Sequence, residues 1–153
     1  MASDFAMIQA LRKQAIRGVA LAAVLVVSGC STFNRDWQAA GGKPANGMDG
    51  RWVGSWISAH NGHNGQLRAL IQKLDNGQHE ARFHAKYLGI LSFSSQVTLD
   101  VKATDGGMQF SGAADLGRPY GIYRYEGKAS PTNFFSTYKA TSDHGTFQMS
   151  RPK

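Results

Sequence analysis

The stretch HEARFHAKYL, residues 79–88, alternates one residue at a time. Ala81, Phe83, Ala85 and Tyr87 fall on one side, while Arg82, His84 and Lys86 fall on the other. A period of two belongs to a strand, whose pleat sends successive side chains to opposite faces. The segment is therefore predicted to be a half-buried β-strand with its small and aromatic residues inward.

Outward from this strand the same pattern recurs. RWVGSWISA (51–59) puts Trp52, Gly54 and Trp56 on one face. GQLRALIQKL (65–74) gathers Leu67, Ala69 and Ile71, although Leu70 and Leu74 break the alternation. FSSQVTLDVKA (93–103) sets Phe93, Val97, Leu99 and Val101 against Gln96, Thr98, Asp100 and Lys102. MQFSGAADL (108–116), GIYRYEGKA (121–129), FFSTYKAT (134–141) and GTFQMSR (145–151) complete the series. In these four, Met108, Phe110, Tyr123, Tyr125, Tyr138, Phe147 and Met149 mark the inner face, and Arg124, Glu126, Lys128, Lys139 and Gln148 the outer.

The connectors are too short for parallel crossovers, which need a dozen or more residues. Asn61-Gly62, Asn64-Gly65, Asn76-Gly77, Gly106-Gly107 and His144-Gly145 offer the positive φ of tight turns. The expected fold is all-β: an eight-stranded antiparallel up-and-down meander over residues 51–153. Its apolar face must be covered by a sandwich or by closure, and sequential hairpins favour closure into a small barrel. The plan, with Gly50-Arg51-Trp52-Val53-Gly54-Ser55-Trp56 at its start, resembles the calycin group of lipocalin-like and avidin-like barrels. The chain is shorter than a typical lipocalin and lacks its C-terminal helix, so the resemblance implies architecture and no binding residue.

The inner face mixes aromatics with Gly54, Ala69, Ala81, Ala85, Gly112, Ala114 and Gly127. An eight-stranded barrel is just wide enough to be filled by side chains or to hold one small ligand. Small residues serve either outcome. They relieve crowding beside Trp52, Trp56 and Phe83, or they leave a pocket lined by Trp56, Tyr87, Tyr123, Tyr125 and Tyr138, whose polar tips orient an apolar or amphipathic molecule.

The N-terminus reads as an address. Arg12, Lys13 and Arg17 precede the uncharged run from Gly18 to Val27, which is too short to span a bilayer and matches the core of a secretory signal. Residues 1–29 are thus expected to be a signal peptide, helical at its centre. The chain's single cysteine follows in Val27-Ser28-Gly29-Cys30, which resembles the lipobox of bacterial lipoproteins. The resemblance implies acylation of Cys30, cleavage before it, and attachment to the membrane through the acyl chains, which anchor stably when two or more are present. Ser31 after the cysteine implies sorting to the outer membrane, facing the periplasm.

Residues 30–50 are rich in Gly, Ala and Asn and show no apolar period. They are expected to be a flexible tether with an end-to-end distance of about 25 Å, Trp37 being a side chain to dock on the barrel or lie at the membrane interface. Removing residues 1–29 takes away Arg12, Lys13, Arg17 and Asp4, so the formal charge falls from +7 to +5. The remaining cations are spread along the chain, which suits anionic headgroups or a cell-wall polymer rather than nucleic acid.

No constellation of nucleophile, base and orienting group stands out. His60 and His63 lie in one predicted turn and His79 and His144 in others, with no thiol or carboxylate set to complete a metal site. They are read as solvated. Asp75, Asp105, Asp115 and Asp143 sit beside turns, where Asp bonds its own backbone. Gly117-Arg118-Pro119-Tyr120 is a surface loop, and Tyr87-Leu88-Gly89-Ile90-Leu91 is the most apolar connector, a lid, a membrane-touching tip or a strand running on. The expectation is a non-enzymatic protein without metal or cofactor. It either binds a hydrophobic small molecule inside the barrel, or meets an envelope protein or polymer through the outside of a filled one.

Overall fold

Eight antiparallel strands close on themselves in the structure, a computed structural model that describes residues 32–43 and 45–153. They are β1 (Gly50–Ser58), β2 (Asn64–Lys73), β3 (His79–Tyr87), β4 (Leu91–Thr104), β5 (Gly107–Asp115), β6 (Ile122–Ala129), β7 (Asn133–Lys139) and β8 (His144–Ser150). Each pairs with the next, and β8 pairs back with β1. The up-and-down barrel and all eight strands agree with the alternation in the sequence. β4 alone is notably longer than expected, running on at its start through Leu91. Of the glycines expected to supply a turn's positive φ, Gly62, Gly77 and Gly107 do so, whereas Gly65 and Gly145, the first residues of their expected strands, lie inside β2 and β8 without it.

The chain divides into two units, residues 1–35 and 36–153. Of the first, residues 32–35 are described and are helical. The signal segment and Cys30 lie outside the described residues.

The second unit corrects the tether. Residues 36–39 are helical and Ala40–Gly42 form a 3-10 turn. Trp37 is buried, its indole ring 4.4 Å from the Arg51 guanidinium and 5.2 Å from that of Arg68. Arg82 donates to Asp36 at 2.9 Å. This cover explains Leu70, which is buried although it points outward, because Asp36, Ala39 and Ala40 border the same cleft as Leu70 and Arg82. Met48 is fully buried and accepts the Trp52 Nε1–H on its carbonyl at 2.9 Å. Two large apolar anchors therefore hold a segment whose composition alone suggests a coil.

The barrel has two unlike ends. The β1–β2, β3–β4, β5–β6 and β7–β8 connections share the upper end. The remaining connections, residues 45–49 and the C-terminus share the lower end. There Arg151 donates to the carbonyls of Gly47, Asp49, Arg51 and Pro131 and closes the floor.

Inside, several large residues face small ones across the ladder, while Trp56 faces Phe147 and Tyr125 faces Tyr138. Phe83 lies between Ala69 and Ser95, and Phe110 opposes Gly127. A β-carbon on Gly127 would stand 2.2 Å from the Phe135 carbonyl oxygen and 2.4 Å from the Phe110 ring. One on Gly54 would stand 1.9 Å from the Gln148 carbonyl oxygen. Backbone and rings already occupy that space, so these glycines let strands approach closely rather than leave a void. The outer face carries Lys102, Arg124, Glu126, Lys128 and Lys139, the reverse of a membrane-spanning barrel with its apolar outside.

Candidate functional site

The five residues expected to line a pocket fall into two groups. Tyr123, Tyr125 and Tyr138 belong to an interior stack. Tyr123 lies 6.4 Å from Tyr125 and 5.8 Å from Tyr138, ring centre to ring centre. Phe147 lies 5.1 Å from Tyr138 and 5.3 Å from Phe83, which in turn stacks on Tyr125 at 6.0 Å. These are the offset and tilted spacings of packed aromatic rings.

The hydroxyls of Tyr138 and Tyr125 are committed internally. Tyr138 donates to Asp143 Oδ2 at 3.2 Å, and Ser58 Oγ donates to Asp143 Oδ1 at 2.6 Å. Ser58 Oγ accepts in turn from the backbone N–H groups of His60 and Asn61. One carboxylate thus ties β1, the β1–β2 loop and β7 together. Ser58 gives its proton directly to Asp143, so this trio braces the loops. Burial first, then the neighbouring Asp143 charge, raise the Tyr138 pKa well above the ordinary tyrosine value. Burial likewise pushes Tyr125 up to about 12, opposed by a hydrogen bond with Ser95. Both are neutral at any physiological pH.

Trp56 and Tyr87 form the second group, at the upper rim. Their rings are 6.2 Å apart, with Phe93 6.0 Å from Trp56 and His63 4.8 Å from Tyr87. Trp56 Nε1–H donates to the Lys86 carbonyl at 3.1 Å, which fixes the indole against β3.

Beyond this rim the upper end turns apolar. In and beside the β3–β4 turn, Leu88 is 70%, Ile90 85%, Leu91 58% and Phe93 51% exposed. Ile57, Tyr120 and Ile122 stand exposed at the same end, so seven of the eight large exposed hydrophobics among the described residues gather there. Phe93 was expected inward, and it does sit on the inner parity of β4. It is exposed because that strand outruns the rim. The sequence marks the Tyr87–Leu91 connector, but not its company, since the four loops meet only once the barrel closes.

Among the described residues, four open surface clefts of about 540–650 Å³ have linings that do not include Tyr123, Tyr125 or Tyr138. One, between the β1–β2 loop and the β3–β4 turn, is bordered by His63, Asn64, Lys86 and Tyr87.

The histidines divide. His60 and His144 sit in neighbouring upper loops with ring centres 6.4 Å apart. Among the described residues no three metal-ligating side chains converge. His79, expected in a solvated turn, is buried instead at the floor, its Nε2 3.5 Å from Asp49 Oδ1. It opens β3 on the parity of Ala81 and so points inward. His84 is buried on the outer face against Ser94 Oγ at 2.9 Å. Burial lowers the pKa of both. No helix among the described residues is long and apolar enough to cross a membrane. Compared with protein families, with curated proteins and with solved structures, the chain matches none.

Proposed function

We propose that this is a lipid-anchored protein of the bacterial envelope, held through acyl chains on Cys30 and sorted to the outer membrane facing the periplasm. On this reading it acts without catalysis, as a filled barrel that presents its apolar upper end to another envelope component. The charged start, apolar run and Val27-Ser28-Gly29-Cys30 support the address. The one-sidedness of the exposed hydrophobics carries the contact role. Monomeric surfaces rarely gather large apolar patches without use for them. The alternative, a small molecule held inside, has weaker support, because the small inward residues are matched by rings and backbone across the ladder.

The test is native mass spectrometry of the full chain purified from its host, beside a Cys30→Ser variant. Acyl mass on the parent, release of the variant from membranes and no further bound molecule are expected. A stoichiometric small-molecule adduct that survives delipidation would restore the ligand-binding reading.

A further inference from the structure

We propose that the upper end of the barrel docks on an anionic lipid surface, with the β3–β4 turn inserted among the headgroups. This rests on the reading that the protein works through that end, and it names the partner.

The turn projects. Ile90, 85% exposed, has almost no protein around it, and Leu88, 70% exposed, stands at the edge of the open cleft that His63 and Tyr87 also border. A small ligand on such a tip would stay wet on most sides, whereas a bilayer surrounds it. The backbone agrees. Leu88 has φ +52, the one non-glycine residue in the left-handed region among those described. Asn or Gly adopts that conformation with less strain. A leucine there combines an unfavourable backbone with an exposed apolar side chain, a local conflict of the kind that marks functional sites.

Charge selects the surface. Lys86 adjoins the turn, Arg118 stands beside Tyr120 in the β5–β6 loop, and Arg124 opposes Lys139 directly across the β6–β7 ladder. Like charges opposite one another repel in the free protein, and an anionic surface relieves that repulsion. The acids at this end are engaged within the protein. Asp115 accepts the Gly117 N–H at 2.8 Å, and Asp143 holds Ser58 and Tyr138. Exposed Tyr120 and Phe93 supply rings suited to headgroup depth. Apolar tips flanked by cations bind interfaces by insertion and attraction together.

The experiment is amide hydrogen exchange on the full chain as its host makes it, alone, with phosphatidylcholine vesicles and with phosphatidylglycerol vesicles. Exchange in 86–93 and 117–122 is expected to slow several-fold on phosphatidylglycerol, less on phosphatidylcholine, and to recover in high salt. Leu88→Asn with Ile90→Ser should abolish the slowing while strand exchange stays as in the parent, which shows an intact barrel. Unchanged exchange in both segments on both vesicles overturns the proposal. In that event, site-specific crosslinking from position 90 in cells separates two cases. A single crosslinked envelope protein leaves the contact reading standing with a protein as partner, and no crosslink removes both.

Discussion

The Arg151 guanidinium lies 3.7 Å from the centre of the Trp52 ring, while its nitrogens reach four backbone carbonyls around the floor. One side chain thereby joins the first strand, the segment before it, the β6–β7 turn and the C-terminus. Arg151→Ala should lower stability by about 2 kcal/mol or more, since charged hydrogen bonds and the cation–π contact go together. Arg151→Lys should recover little, because an ammonium cannot present the planar fork that spans several acceptors. Urea midpoints measure both. Equal stability of the parent and the alanine variant would show that the floor holds without this latch.

The interior makes a sharper demand. Phe83→Ala removes a buried ring packed against Tyr125 and Phe147 and should cost about 3–5 kcal/mol. Ala85→Phe adds a ring where Ala85 is already buried and should cost roughly 1–3 kcal/mol. A hollow barrel would take the second change without loss, so an unaltered melting curve for Ala85→Phe would sink the filled-barrel account.

The fold was legible because its two signals, a period of two and glycine-marked turns, are local. Leu70 was a legible anomaly: an apolar residue on the wet face, whose cause lies in a segment some thirty residues earlier. That segment was misread because its anchors, Trp37 and Met48, are isolated in a polar, glycine-rich run with no period to register. His79 could have been placed by its parity with Ala81, but its position beside a turn suggested solvent. Whether Gly54 and Gly127 mean space or contact was not legible, since the answer depends on the neighbouring strand's backbone. The apolar upper end is likewise a product of closure.

Protonation offers a separate check. His79 has its pKa lowered by burial, opposed by Asp49 and aided by Lys73; for His84 burial, Arg68 and Lys86 all lower it. A histidine whose folded pKa is depressed is held neutral by the fold. Its contribution is therefore present above the unfolded value, about 6.5, and is lost as pH falls below that value towards the folded pKa. The urea midpoint should drop between pH 7 and pH 5, and drop less in His79→Gln with His84→Gln. An identical pH slope in parent and double variant would place the acid sensitivity elsewhere.

Leu88 sets stability against use. Its φ of +52 strains an L-residue with a γ-branched side chain, and at 70% exposure the side chain gains little from packing. Asparagine enters the left-handed region more readily and prefers water. Leu88→Asn should therefore raise the unfolding free energy by about 0.5–1 kcal/mol, in line with substitutions that match residue to backbone conformation. The same change removes an apolar side chain from the tip, worth about 1.5–3 kcal/mol when buried. It should weaken association with anionic vesicles by roughly tenfold or more. Opposite signs in the two measurements are the signature of a residue kept for contact. A variant both less stable and equally well bound would show instead that Leu88 packs within the turn, and that the tip is structural.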